Sequence, residues 1–370
     1  MKRIIFLLFA IVAIITILAG CATPAPATTP AAKPAPSPSS APAAPITMKF
    51  SHNVPVASAM HKDINLPWAE KIKERTTAIG KPVEITFFPN SVLGKASEQY
   101  DLVVDGVVDI TGNWGPQNEP GRFYLIRALE LPFLFTGATA AAQTAQELFD
   151  TRPEIKQEFR EAKLLYFHPT GSYEIHTNKL QVKTLNDFKG LKIRGTGGVN
   201  SDVITALGAT PIAIDVGEVY PSLEKGVLDG TLINWEGAMA FKYYEVTKYR
   251  TQIPQGLTLS ILAVSMNLNT WNKLPPDVQK IFEEYSGMAM SRQNGQTFDK
   301  VNNQLLQVIK QKDKAAGNPD VYVVPQDELQ KWKSTVSPIY DKWVADIEAK
   351  KLPGKSILDD VRRLAEKYSK

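Results

Sequence analysis

Residues 191–200 read LKIRGTGGVN. Leu191 and Ile193 alternate with Lys192 and Arg194, the two-residue period of a strand with one buried face. Gly195, Gly197 and Gly198 follow at once, and a helical stretch opens near Asn200. A strand that turns through glycines into a helix is the repeating unit of an open α/β sheet, and such sheets bind ligands at the carboxyl ends of their strands. Arg194 then has two readings. Its planar fork can face the crevice and take a carboxylate, helped by the free N–H groups and dipole of the helix that follows. Equally, it can pair with an acid of its own lobe and merely pack.

The same alternation extends in both directions. ITMKFS (46–51), VEITFF (83–88), VVDITGN (107–113), LLYF (164–167), YEIHT (173–177), PIAI (211–214), LDGTLIN (228–234) and VYVVP (321–325) read as further strands. Between them, Ile64, Trp68 and Ile72 share one helical face, and a helix is expected around 96–106. The pattern predicts an α/β fold with mainly parallel sheets. Residues 274–311 keep helical periodicity throughout, with Ile281, Tyr285 and Met288 on one face and Val301, Leu305 and Ile309 on another. A long helix is expected there, with Gly287 and Gly295 as places where it could bend. Two more helices, about 326–349 and 355–368, close the chain. At 370 residues the chain exceeds one ordinary core, so two lobes are expected.

The first 45 residues have a different character. Lys2 and Arg3 precede an apolar run from Ile4 to Ala19, shorter than the about 20 residues of a membrane span and ordered like a secretory signal. The run ends at Leu18-Ala19-Gly20-Cys21, which resembles a bacterial lipobox, with lipid carried on Cys21 after cleavage. Cys21 is the single cysteine, so no internal disulfide can form. Residues 22–45 hold eight prolines among Ala, Ser and Thr. They have too little to bury to repay their ordering, and read as a tether of roughly 70 Å when extended.

Lys2, Arg3 and Lys33 are among the 42 basic residues, leaving 39 against 38 acids from residue 46 onward. A nearly neutral body with no basic stripe excludes nucleic acid as a partner. Enzyme signatures are equally thin. The four histidines, His52, His61, His168 and His176, have no metal spacing, and no nucleophile elbow or Walker loop occurs. The glycines after Arg194 miss the dinucleotide fingerprint because Asn200 holds its third position. No cofactor, metal or catalytic residue is expected.

FKGLKIR…ALGATPIAIDVGEVYPSLEKGVLDG, residues 188–230, resembles the signature region of TRAP-transporter solute-binding proteins of the DctP type. The resemblance continues through EVTKYRT (245–251), NLNTWNKLP (267–275), FFPNSVLGKASEQYDLVVDGVVDI and GRFYLIRALELPFLF, covering nearly all of 46–310. It implies two α/β lobes joined by hinge strands, a long helix spanning both, and closure over a ligand. The lobe boundaries expected are 46–171 with 259–299, and 172–258 with 300–370 and its C-terminal helices, after a signal (1–20) and the lipidated tether (21–45).

The resemblance makes Arg194 the carboxylate-binding residue and puts Asn234 in the pocket. Where many members carry a second arginine, this chain has Tyr173, and where they carry proline after the first arginine it has Thr196. One arginine suits a monocarboxylate with an apolar or aromatic body better than a dicarboxylate. Trp114 and Trp235, at strand ends, are further candidates, as are His52 and Asn53 after the first strand, with His61 nearby. For these aromatics and histidines a packing or capping role is the competing reading. The expected function is an extracytoplasmic, lipid-anchored receptor that delivers a small organic carboxylate to a two-component, sodium-driven permease. A sensing adaptor for a membrane signalling protein, or an enzyme acting on a small acid, remain the alternatives.

Overall fold

The computed structural model describes residues 44–119 and 121–370. Cys21, the apolar run before it and the tether as far as Ala43 lie outside the described residues. Two sheets organise the rest. The first has the order β2-β1-β3-β10-β4, built from β1 (Ile46–His52), β2 (Val83–Phe88), β3 (Ile110–Trp114), β4 (Ala162–Phe167) and β10 (Ala263–Asn267). The second has the order β11-β9-β5-β8-β6-β7. Its strands are β5 (Glu174–Thr177), β6 (Lys192–Gly195), β7 (Thr210–Ala213), β8 (Gly230–Ile233), β9 (Tyr249–Gln252) and β11 (Tyr322–Val323). Helices cover each sheet, giving the two-lobed α/β architecture expected.

The sheets are mixed rather than mainly parallel. β10 runs antiparallel to β3 and β4, and β5 runs antiparallel to β8 and β9. These are the two strands that the chain enters after crossing from the opposite lobe, so each arrives with its direction reversed. Neither β9 nor β10 stands out in the sequence. β10 is buried at all five positions, so no polar alternation marks it. The crossings themselves, 168–173 and 256–262, lie side by side. His168 N–H donates to Leu262 O (2.9 Å), Thr170 N–H to Ser260 O (2.9 Å) and Tyr173 N–H to Thr258 O (2.7 Å). Two hydrogen-bonded strands with free ends in separate lobes form a hinge.

The long helix starts later than its periodicity implies. A first helix, Pro276–Glu284, stops at Tyr285, and Gly287, at φ +60°, opens a 30-residue helix, Gly287–Ala316. The helix runs unbroken through Gly295. A Cβ there would stand 2.5 Å from Thr139 Cα, so glycine lets this helix close onto helix Ala138–Thr151 of the first lobe. Further along, the long helix packs on Trp235–Ala240, and Asp313 near its end pairs with buried Arg250 of β9 at 3.0 Å. The helix therefore spans both lobes.

Helix Gln326–Val336 stays with the second lobe, where Trp332 packs edge-on to Phe188 at 5.1 Å and Glu328 accepts from Leu185 N–H at 3.0 Å. The last helix, Gly354–Tyr368, does not. Its apolar face, with Ile357, Val361 and Leu364, lies on Ala138–Thr151, and Asp360 and Lys367 pair with Arg152 (2.7 Å) and Glu147 (2.6 Å). The one-sided apolar stripe of this helix finds its cover on the first lobe.

The lobes are closed on each other. Glu236, after β8, accepts from Ser58 Oγ (2.8 Å) and Ala59 N–H (2.9 Å) of the first lobe. Asp215 accepts from Ala96 N–H at 3.1 Å, and Lys95 pairs with Glu218 at 3.1 Å. The last pair is exposed and contributes little. The Glu236 bonds are buried, and so carry more.

Two outcomes are expected. Gly256, at φ +70° in the second crossing, would place a Cβ 2.3 Å from Ser172 Oγ and 2.6 Å from Phe135 O. Gly256→Ala should cost roughly 1–3 kcal/mol, read as a lowered urea midpoint; an unchanged midpoint would show that the hinge relaxes around it. Glu236→Ala should remove about 1.5–3 kcal/mol of closure and raise the radius of gyration of the free protein in X-ray scattering. An unaltered radius would mean that the lobes stay shut without this contact.

Candidate ligand-binding site

The carboxyl ends of the strands face a cavity of about 300 Å³ between the lobes, at the small end of the roughly 300–1,000 Å³ typical of small-molecule sites. β6 lies between β7 and β8 and parallel to both, so Arg194, its third residue, arrives at the cavity wall. Its residue exposure is 5%. Nε and Nη2 both donate to the Ile214 carbonyl at 3.3 Å. Nη1 makes no hydrogen bond within the described residues, and no carboxylate among them pairs with this guanidinium. A buried charge in that condition is costly unless an anion joins it.

Around Arg194 the sequence places polar groups by local necessity. Asn234 ends β8 and caps helix Trp235–Ala240, its Oδ1 accepting from Gly237 N–H at 2.8 Å. That bond fixes the amide, and leaves Nδ2 buried without a partner. Tyr173, on the first crossing, donates from its hydroxyl to Ser260 Oγ of the second crossing at 2.8 Å, and Ser260 Oγ stands 3.5 Å from Thr196 Oγ1. Burial pushes the Tyr173 phenol up, with the bond to Ser260 opposing, so it stays a neutral donor. Arg194, Asn234, Tyr173 and Thr196 thus meet on one side of the cavity, and Asn53, after β1, lies across from them.

Three expected residues do not line it. Trp114 is fully buried in the first lobe, its indole N–H on Ser265 Oγ (3.1 Å) and its ring 4.4 Å from Tyr100 and 5.1 Å from Phe123. Aromatic bulk drew it into the core behind the strand. Trp235 turns away into a second, more polar cavity that includes Glu174 and Asp299, with its ring edge-on to His176 at 5.0 Å. His52 is buried too, and its Nε2 shares a hydrogen bond with His61 Nδ1 at 2.9 Å. Burial, reinforced by the His61 charge, pushes His52 down to about 3. It remains neutral, and Arg194 is the sole cationic side chain lining the cavity among the described residues.

The sequence reading missed Asn113, Gln117, Ser260 and Glu236, all in the wall. Asn113 immediately precedes Trp114, and strand alternation turns neighbours to opposite faces, so choosing the tryptophan meant overlooking the asparagine. Asn113 also holds φ +61°, a left-handed backbone uncommon for a side-chain-bearing residue and concentrated at functional sites. Of the two wall carboxylates, Asp215 accepts on both oxygens and Glu236 on Oε1 alone. Asp215 accepts from Gly217 and Ala96, and Glu236 from Ser58 and Ala59. Val54, Met60, Ile214, Val216, Phe241 and Leu262 supply apolar lining. Among the described residues no group of three or more His, Cys, Asp or Glu is arranged to hold a metal ion, and no helix is long and apolar enough to cross a membrane.

Comparison with known proteins agrees with this geometry. Residues 50–346 match the model of DctP, bacterial extracellular solute-binding protein, family 7. The chain is 27% identical over 308 residues to the C4-dicarboxylate-binding periplasmic protein DctP of Rhodobacter capsulatus, covering 83% of this chain and 89% of that one. Its fold matches a TRAP solute-binding protein from Rhodoferax ferrireducens T118 in complex with copurified benzoate, at TM-score 0.81 and 28% identity over 88% of this chain and 98% of that one. It also matches a marine-metagenome TRAP solute-binding protein specific for aromatic acids, crystallised with 3-hydroxybenzoate, at TM-score 0.83 and 27% identity over 89% and 100% of the two chains. A lobed body closed by two hinge strands, an unpaired arginine at a strand end and a family match along most of the length agree: the chain belongs to the family 7 bacterial extracellular solute-binding proteins, the receptors of TRAP transporters.

Proposed function

We propose that this receptor captures a small organic monocarboxylate between its lobes and delivers it to a TRAP-type membrane permease. The observation that carries the reading is Arg194, buried at the cavity with its Nη1 unused and no acidic partner. Asn234, in the same cavity wall, has Nδ2 as a second donor without a partner. A second carboxylate on the same ligand would find no further cation in the wall and would meet Asp215 and Glu236 instead. That argues against a dicarboxylate, although a relative in Rhodobacter capsulatus is named for C4-dicarboxylates. The apolar lining suits a ring or branched body, in keeping with the benzoate and 3-hydroxybenzoate held by two similar structures. Closure excludes water and so strengthens the ion pair.

Within this reading the lobes are 46–171 with 259–299, and 172–258 with 300–370 and its C-terminal helices, divided within the two crossings and part-way along the long helix. Binding is stoichiometric and the acid leaves unchanged. The body is held at the outer face of a membrane through lipid on Cys21, a role supported by the signal-like run, the Leu18-Ala19-Gly20-Cys21 sequence and the tether that follows.

Arg194→Ala should weaken benzoate binding in calorimetry by about 2–4 kcal/mol, roughly 30- to 1,000-fold. Arg194→Lys should recover only part of this, because an ammonium keeps the charge and loses the fork. Unaltered affinity in the alanine variant would remove Arg194 from the site. Mass spectrometry of the acid after incubation should show the starting compound; a changed mass would favour an enzyme. For the anchor, Cys21→Ser should move the protein from the membrane fraction to the soluble fraction, and continued sedimentation with membranes would refute lipidation.

A further inference from the structure

Trp235 and Glu236 stand side by side at the start of one helix and face different cavities. Glu236 lines the ligand cavity, and Trp235 lines the second one, of about 330 Å³, against the hinge. Gly171 and Ser172 of the first crossing, Gly256 of the second and Asn302 of the long helix form part of its wall. That wall is negative. Glu174 and Asp299 both contribute carboxylates, and no lysine, arginine or histidine lines it among the described residues. Asp299 is engaged on both oxygens, accepting from Ala138 N–H (2.7 Å), Thr139 N–H (3.0 Å) and Thr139 Oγ1 (2.6 Å). Glu174 is not. Its residue exposure is 5%, its Oε2 accepts from Ile253 N–H at 2.6 Å, and Oε1 has no hydrogen-bond partner within the described residues. The basic side chains around it are committed elsewhere or neutral. Arg250, on the neighbouring strand β9, pairs with Asp313, Lys333 donates to Gln255 Oε1, and buried His176 is pushed down to about 3. Burial without a cation pushes the Glu174 carboxyl well above its usual range. The Trp235 indole N–H, in a residue only 2% exposed, is likewise without a partner within the described residues.

We propose that this hinge cavity binds a small organic ammonium ion, whose N–H groups donate to Glu174 Oε1. A buried carboxylate that lacks a cation is costly to ionise, and an ammonium supplies the charge and the hydrogen bond together. The volume is that of a small-molecule site, and the described residues hold no group of three or more His, Cys, Asp or Glu arranged for a metal, so the cation is organic. An amino alcohol suits the wall further. Its hydroxyl oxygen accepts from the indole N–H, while the amides of Gln252 and Asn303 offer both donors and acceptors. Glu174 gives up its proton on binding, so affinity rises with pH until that carboxyl ionises unaided. Asn302 joins the cavity to the latch, because its Oδ1 accepts from Glu236 N–H at 3.1 Å. The site is separate from the one at Arg194 and does not depend on the carboxylate reading.

The test is heteronuclear NMR of the tryptophan indole N–H signals on the full chain, with no carboxylic acid ligand present. The Trp235 signal is identified by its loss in Trp235→Phe. Ethanolamine and putrescine are titrated beside neutral molecules of matching length, ethylene glycol and 1,4-butanediol. At least one amine should shift the Trp235 signal saturably, with a half-point about ten-fold or more below that of its diol. Glu174→Gln keeps the size and the acceptor for Ile253 N–H, and should raise that half-point by about ten-fold or more. Should that variant fail to fold, the unaltered chain carries the test through pH: the half-point should fall between pH 5 and pH 8, and a half-point indifferent to pH overturns the role of Glu174. A diol that binds as tightly as its amine overturns the cationic character of the ligand. An unaltered half-point in Glu174→Gln overturns the assignment to this carboxylate, and the absence of a saturable shift with either amine overturns the site. None of these results touches the carboxylate reading, since neither Glu174 nor Trp235 lines the cavity at Arg194.

Discussion

A guanidinium buried in a protein interior ordinarily has a carboxylate beside it, and Arg194 has only a backbone carbonyl. Ile214 O accepts from two of its nitrogens and so fixes the plane of the fork, but a carbonyl dipole does not neutralise a charge. The closed protein thus contains an electrostatic demand that its own chain does not meet. Strand register creates it: β6 runs between β7 and β8, both parallel to it, and brings its third residue to the mouth of the sheet. In the reading proposed above, a small anion entering between the lobes meets this charge, and the lobes close over the pair.

Closure is possible because the connection between lobes is narrow. Two crossing segments hydrogen-bonded to one another carry the chain between sheets, while the 30-residue helix runs alongside and contacts both halves. The last helix returns to the first lobe after the chain has finished the second, which limits how far the two can separate. Across the cavity mouth, Glu236 holds the turn at Ser58 and Ala59. The same residue lines the cavity, so the latch and the ligand share one wall, and a change in either is felt by the other.

The chemistry of the cavity is divided by lobe. Arg194, within β6, and Asn234, just after β8, line it from one side, and Asn53, after β1, with Asn113, within β3, from the other. The cavity wall is complete only when both lobes contribute to it. Buried histidines take no part as charges. His52 and His168 are pushed by burial to about 3 and about 4, and they act as neutral scaffolding behind Asn53 and Asn113.

Much of this was legible in the residues. Period-two alternation located most strands to within a residue or two, and the strand-arginine-glycine run at 191–200 put forward Arg194, which lies in the cavity wall. Asn234 and Tyr173 followed from resemblance. What stayed hidden had physical causes. β10 is buried on both faces and so has no alternation to detect. Gly287 and Gly295 look alike in the sequence, yet one starts a helix in a left-handed conformation and the other admits a neighbouring backbone. Trp114 and Asn113 are adjacent, and which of the two meets the cavity depends on the twist at the end of β3. The linear chain decided the fold class and the lobe count, because these follow from local periodicity, while side-chain chemistry left Arg194 between a ligand contact and a packing role. Only tertiary structure decided that Arg194 is unpaired and that Trp114, Trp235 and His52 face elsewhere. Pairing is a property of neighbours far apart in sequence, and no local pattern records it.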